Sequence, residues 1–401
     1  MKVLHLAWEF PPNKVGGLAE HVYSLSRAYA EKYGEAYVLT PGYGEFKEQE
    51  EINGIKVYRF EATNIPAEDF PSWVSQINTL FVNAAIDIIK EEEIDIIHAH
   101  DWIVANAGII LKHLFRKPLI ATIHATEHGR RGGIYDDRQQ FIHFLEERLA
   151  FEAWKVIACS YAMRDEISHV LHVPYEKIEV IPNGVFEAKI GKASESIRKK
   201  YALPHEKIIL FVGRHVYEKG LDVLIKAFAE LLKQRDDVKL VILGKGYYTD
   251  EAKNLVYSLG IAHKVVFGGF VSDEERDALY ELAEIVAIPS RYEPFGIVAL
   301  EGMKYGKVVV ASDVGGLREV VKHEYNGLTF FNENHHSLKD QILRALNDRE
   351  LSNKLRTNAL KSVKEEFNWY AIAKKTAQLY NNVLEEYEKV NWKPRSSIYE
   401  S

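Results

Sequence analysis

The stretch Pro289 to Glu301 reads P-S-R-Y-E-P-F-G-I-V-A-L-E and carries two carboxylates, Glu293 and Glu301. It follows an apolar run, Ile285 to Ile288, with the character of a buried parallel strand, and leads through a proline-bearing loop into a helix from about Gly296. In open α/β sheets ligands sit outside the carboxyl ends of the strands, where loops enter helices. A helix N-terminus there offers unpaired N–H groups and positive dipole to an anion. Pro294 stiffens the turn, so Glu293 is aimed rather than floppy. The spacing puts one carboxylate just before the helix and a second about a turn and a half inside it, which fits either a ligand site or two surface glutamates on an ordinary strand–helix unit.

Other strand ends carry complementary groups. Ile208–Val212 runs into G-R-H-V-Y-E-K-G-L, where Arg214 and Lys219 flank a short loop before a helix. Two fixed cations by a helix N-terminus suit a diphosphate leaving group, although taken alone the pair fits surface bases equally. Near the start, strand, glycine turn and helix follow one another, with Lys14, Gly16 and Gly17 in the turn. Glycines without side chains let backbone N–H groups close on a phosphate. The spacing is not G-x-G-x-x-G, so the dinucleotide fingerprint is unmet. His98, Asp101 and His124 fall at the ends of two further strands, with His100 between the first two. The histidines invite a metal reading, but H-E-x-x-H spacing and a Cys/His quartet are both missing, and no metal is expected. The basic stretch Gly129–Gly133 reads as a loop able to approach an anionic or polyhydroxy ligand.

The elements that must hold these groups alternate strand and helix through the whole chain. Expected strands are Lys2–Trp8, Ala36–Thr40, Ile55–Phe60, Leu119–Ile123, Lys155–Ser160 and Ile178–Ile181 in the first half, with another ending at His98–Asp101. Ile52-Asn-Gly-Ile marks a tight turn before the third of these. The pattern restarts at Lys207 with Ile208–Val212, Lys239–Leu243, Val265–Phe267, Ile285–Ile288, Val308–Ala311 and Gly327–Phe331. Two such series imply two doubly wound Rossmann-like sheets, each with its own core. The first domain is expected over 1–183 and the second over 184–368, with a helix of about 369–401 returning to the first. The polar stretch Lys189–Lys200 reads as a linker.

At 401 residues, 47% hydrophobic and 27% charged, the chain is long enough for two domains. A net charge of −7 disfavours nucleic acid as the main partner, so phosphate recognition must be local. One cysteine, Cys159, precludes an intrachain disulfide and suits a reducing compartment. No apolar run approaches a membrane span and no leader is visible, so a cytoplasmic location is expected.

Taken together, these residues resemble the retaining glycosyltransferases of the two-Rossmann-domain (GT-B) type, the family that contains glycogen and sucrose synthases. The resemblance covers essentially the whole chain. It rests most on Glu293-x₇-Glu301 with Phe295-Gly296 inside it, and on Gly213-Arg214…Lys219-Gly220 upstream. Lys14-Val-Gly-Gly-Leu-Ala-Glu resembles the glycine loop of glycogen synthases, with Val15 and Glu20 as departures, and His98-Ala-His-Asp-Trp resembles their acceptor-side strand end. It implies two domains facing across a cleft. Glu293 would bond hydroxyls of the transferred sugar, and the Phe295–Gly296–Ile297 backbone would hold sugar and diphosphate. Glu301 would bind ribose, and Arg214 and Lys219 would neutralise the diphosphate. Gly16 and Gly17 would approach that diphosphate, while Asp101 and His124 would meet the donor sugar. The implied donor is ADP-glucose or UDP-glucose, with no further cofactor, and the acceptor a glucan or other sugar. A small-sugar, lipid or envelope acceptor, a nucleotide-sugar 2-epimerase, and a non-catalytic sugar-binding protein are the alternatives.

Overall fold

The computed structural model describes residues 1–188, 190, 191 and 193–392. The chain divides into two compact units, Met1–Asn183 with Trp369–Ser401, and Gly184–Asn368.

The first unit is built on eight strands: β1 Lys2–Leu6, β2 Glu35–Gly42, β3 Gln49–Ile52, β4 Ile55–Glu61, β5 Ile96–His100, β6 Leu119–Ile123, β7 Lys155–Ala158 and β8 Ile178–Val180. They lie in the order β3-β4-β2-β1-β5-β6-β7-β8. All neighbours are parallel except β3–β4, a hairpin turned by Asn53 and Gly54, both at positive φ. Strands such as β5 and β6 are buried along their whole length, because helices cover both faces of the sheet. Cys159 is buried beyond β7.

The second unit has β9 Lys207–Val212, β10 Val238–Leu243, β11 Val265–Gly269, β12 Ala283–Ile288, β13 Val308–Ser312 and β14 Leu328–Phe330. Their order is β11-β10-β9-β12-β13-β14, all parallel. Ile209, Phe211, Leu240 and Ile242 pack with Leu224, Phe228 and Ile342 from helices Leu221–Leu232 and His335–Asn347 into one apolar core. The direction of winding reverses between β9 and β12, so the helices that follow these two strands lie on opposite faces of the sheet while their exit loops adjoin at its carboxyl end, the place where open α/β sheets bind ligands.

The second half of the stretch expected as a linker is helical and belongs to the second unit. Ser194 caps a helix over Glu195–Tyr201, and Tyr201 is buried with its hydroxyl donating to Glu275 at 2.9 Å. Lys189 and Lys192 lie outside the described residues. The last helix, Trp369–Lys389, packs on helix Gly17–Lys32 in the first unit. Residues 393–401 of the expected returning segment lie outside the description. None of the described helices is long and apolar enough to cross a membrane.

Under that last helix lies a cluster of histidines. The parallel register sets His5 of β1 opposite His98 of β5, and His100 follows on the same face. His5 Nδ1 and His100 Nε2 are 3.0 Å apart, and His98 is held by Tyr380 Oη at 2.6 Å and Thr122 Oγ1 at 2.7 Å. His21 lies edge-on to His124 and to Trp369. Burial, reinforced by His21, lowers His5 to about 3; burial lowers His124 to about 3, and pushes His21, His98 and His100 well below their ordinary value. The unfolded chain takes up these protons near pH 6.5 and the fold refuses them until far lower pH. Their contribution is therefore complete above about pH 6.5 and is lost as pH falls toward 3. At pH 5 the loss is about 2 kcal/mol per histidine. Asp101 and Glu146, raised by burial to about 6 and about 8, and Glu9, raised by burial, act in the opposite sense but are three against five. All six tryptophans belong to this unit, so their fluorescence reports its unfolding alone. We expect the urea midpoint read by tryptophan emission to fall steeply between pH 7 and pH 5; a flat midpoint would contradict the buried neutral cluster.

Candidate active site

The reversal of winding sets the loop after β9 beside the loop after β12. Gly220 ends the first loop at φ 65°, a left-handed conformation, and a Cβ there would overlap the Pro289 carbonyl oxygen. That close approach lets Lys219 Nζ reach Glu293 Oε2 at 2.7 Å. Ser290 Oγ donates to the same carboxylate oxygen at 3.1 Å. A third loop, after β13, completes the support: Gly316 donates its N–H to the Glu293 carbonyl at 2.9 Å, and a side chain at Gly316 would strike the Pro294 carbonyl. Glu293 is thus fixed through both backbone and carboxylate while its side chain keeps a partial opening to solvent. Arg214 sits in the same β9 loop, half exposed, with Glu218 as its nearest carboxylate at 3.9 Å.

Phe295 is buried, and Gly296 at φ 106° turns the chain into helix Ile297–Lys304. Glu301 lies inside this helix and accepts a hydrogen bond at 2.7 Å from the hydroxyl of Tyr280, a fully buried residue stacked on Tyr305. Arg276 adds a positive charge beside Glu301. Glu301 is therefore already oriented by one donor and retains acceptor capacity for others.

In the first unit the expected residues occupy the carboxyl ends of β1, β5 and β6. Asp101 follows β5 at φ 63°, and its Oδ1 accepts the His124 N–H at 2.7 Å. Burial raises Asp101 to about 6, against the pull of Arg130 at 4.0 Å and that N–H. The stretch expected as a loop at Gly129–Gly133 begins instead within a short helix, Glu127–Arg131, because Thr126 caps it through the Gly129 N–H. Arg130 is thereby turned toward Asp101 and Glu127. Glu146, buried and accepting the Glu127 N–H at 2.9 Å, is pushed up to about 8 by burial.

The glycine turn differs from expectation in one respect. The N–H groups of Val15 and Gly16 are not open to a phosphate: both donate to Glu9 Oε2, at 2.5 and 2.9 Å, because the chain after β1 folds back and buries that carboxylate beneath the turn. Lys14 lies 3.7 Å from Glu20. Two histidine triplets, His5–His98–His100 and His21–His100–His124, have the proximity of metal ligands. His98 and His100 engage both ring nitrogens with other side chains, whereas His5 Nε2 and His21 Nε2 are buried without a partner.

Sequence reasoning gave no role to Glu9 and Glu146 in the first unit or to Ser290 and Tyr280 in the second. Each is a single residue with no motif around it, whether its partner is 3 residues away, as for Ser290, or 21, as for Tyr280. The Ser312–Gly316 turn did carry a signal, its paired glycines between a strand and a helix.

Residues 15–188 match the family described as Glycosyltransferase Family 4, and residues 193–362 match Glycosyl transferases group 1. The chain is 39% identical over 391 residues to an uncharacterized glycosyltransferase of Methanocaldococcus jannaschii, covering 96% of this chain and 99% of the relative. It is 31% identical over 397 residues to a glycogen synthase of Mycobacterium tuberculosis, covering 95% and 94%. Among solved structures it is similar to a sucrose-phosphate synthase from Thermosynechococcus elongatus, with a TM-score of 0.82 at 25% identity over 96% of this chain and 99% of that one. Two Rossmann-like units with the loops described above, and similarity spanning the whole chain, make this protein a member of the GT-B glycosyltransferases.

Proposed function

We propose that the protein transfers a glucosyl unit from a nucleoside diphosphate glucose, ADP-glucose or UDP-glucose, to a hydroxyl of an α-glucan, with retention of anomeric configuration. The observation that carries this reading is the Lys219–Glu293 pair at the switch point, with Arg214 in the same loop. Cleavage of the donor places negative charge on the departing diphosphate and positive charge on the sugar's anomeric carbon. Lys219 and Arg214 are assigned to the former, and Glu293 to the hydroxyls of the sugar that becomes cationic. The Phe295–Ile297 backbone is assigned to sugar and diphosphate, and Glu301 to the ribose hydroxyls. His124, neutral at pH 7 because burial holds it near 3, is assigned to a hydroxyl of the donor sugar without opposing the cationic carbon. Asp101 orients the His124 backbone. Lys14, Gly16 and Gly17 are assigned to the donor's phosphates, which requires the turn to share its amides with Glu9 or release them.

With no carboxylate assigned as a nucleophile, the acceptor attacks on the face the diphosphate leaves, and a phosphate oxygen takes the acceptor's proton. Protein cations take the place a divalent ion holds in other transferases. The likeness to a glycogen synthase along the whole chain supports the glucan acceptor. The motif Glu-Pro-Phe-Gly-Ile-Val-Ala-Leu-Glu supports a second reading, transfer to a small sugar, lipid or envelope acceptor, since it is closer to the broad family than to starch synthases. A screen of donors against acceptors, reading released nucleoside diphosphate, decides between them. Release of an epimerised nucleotide sugar without acceptor would overturn both.

Three outcomes test the assignments. Arg214→Ala and Lys219→Ala should each lower turnover by roughly 10²-fold or more, as expected when about 3–4 kcal/mol of transition-state stabilisation is removed; wild-type rates would reduce them to surface charges. Activity should survive a chelator, and a loss restored by a divalent ion would refute metal independence. Glu301→Gln should chiefly raise the donor KM, whereas Glu293→Gln should bind nucleotide nearly normally and turn over poorly. Calorimetry showing the reverse balance would exchange the two roles.

A further inference from the structure

We propose that Arg291 is a positioning residue that fixes the loop carrying Lys219, and thereby sets where the Lys219 ammonium stands relative to Glu293. The inference rests on the reading of Lys219 as a diphosphate-binding cation. Arg291 lies two residues before Glu293, and its guanidinium is bound on both sides of Lys219. Nη1 donates to the Tyr217 carbonyl at 2.8 Å, and Nη1 and Nη2 donate to the two carboxylate oxygens of Asp222 at 2.9 and 3.0 Å. Nε donates to Glu333 at 2.7 Å, and the guanidinium stacks on the Tyr217 ring at 4.1 Å. The Arg291 N–H donates to the Glu218 carbonyl at 2.8 Å. Both partners of the Arg291–Asp222 pair have side chains largely shielded from water, 13% and 12% exposed. Burial would raise Asp222, but the Arg291 hydrogen bonds hold it below the usual carboxylate range.

The geometry explains why an arginine is needed. A lysine ammonium ends a flexible four-carbon stem, so its location depends on how firmly its backbone is anchored. Stabilising charge in a transition state requires that the cation already stand in place, and a displacement of about 1 Å can cost roughly 10²-fold in rate. Anchoring Lys219 means holding Tyr217 and Asp222 at once. The planar fork of Arg291 donates to both in fixed directions, which an ammonium does not reproduce. Asp222 in turn has its charge taken up by Arg291, with Lys226 beyond at 3.6 Å, instead of leaving an unpaired anion within three residues of the cation meant for a diphosphate.

The experiment is a double-mutant cycle between Arg291→Met and Lys219→Ala in the full chain. Turnover is read with ADP-glucose and UDP-glucose on a maltooligosaccharide, ADP and UDP affinity by calorimetry, and thermal midpoints in every variant. Arg291→Met should lower kcat roughly 10–100-fold and weaken nucleotide binding. In the Lys219→Ala background it should cost almost nothing further, because Arg291 acts through Lys219; a merely structural role would add its loss to that of Lys219→Ala. Arg291→Lys should stay near the methionine variant, and Asp222→Asn, which keeps the shape, should lose a smaller amount if Arg291→Met proves too unstable to assay. Multiplying losses, full rescue by lysine, or a wild-type Arg291→Met beside an impaired Lys219→Ala would overturn the proposal while leaving the reading of Lys219 intact. A wild-type Lys219→Ala would overturn both.

Discussion

The candidate site depends on one topological constraint, the reversal of winding between β9 and β12. Two neighbouring strands whose following helices lie on opposite faces cannot have their exit loops covered by a crossover, so the loops meet over an open crevice. Here that meeting is tight enough to bring Gly220 against the Pro289 carbonyl and Lys219 within 2.7 Å of Glu293. Glycine at position 220 is a condition of this approach, both for its left-handed backbone and for its missing side chain. The third loop, after β13, bonds the Glu293 backbone from the other side. Three strand ends thus contribute to one carboxylate's position.

The first unit solves a different problem, keeping titratable groups uncharged or paired in a dry interior. Its histidines lie on a sheet face closed by helices Gly17–Lys32 and Trp369–Lys389, and Tyr380 reaches from the latter to His98. The chain's last described helix is therefore part of the first unit's core, although nearly two hundred residues of the second unit intervene. Asp101 and Glu146 show the same effect with opposite sign, burial holding their protons on. Arg130 is the local counter-charge, brought there because Thr126 starts a helix in a stretch of basic residues and glycines.

Much of this architecture was legible in the sequence because it depends on near neighbours. Apolar runs bounded by glycine and proline located the strands to within a few residues, β6 agreeing at both ends, except β3, whose Gln49-Glu-Glu-Ile has no apolar run to find. Asn53-Gly54 specified its hairpin because both residues tolerate positive φ. The Gly129–Gly133 stretch misled, since its glycines read as a loop whereas the cap at Thr126 lies before it. The glycine turn at Gly16 misled in another way: the residue that occupies its amides, Glu9, is separated from it by a proline-rich excursion with no readable pattern.

The sequence by itself determined the alternation of strand and helix, the two series of strands, and the residue types waiting at the strand ends. These follow from hydrophobic period, turn chemistry and local spacing, all of which act within a few residues. Tertiary structure alone decided which of those residues meet. The pairing of Lys219 with Glu293, Arg291 with Asp222, Tyr280 with Glu301 and His98 with Tyr380 joins positions 74, 69, 21 and 282 residues apart. No local pattern encodes such distances, because strand order is settled by how whole helices pack across a sheet, and burial, which sets the charge of His5, Asp101 and Glu146, exists only once that packing is complete.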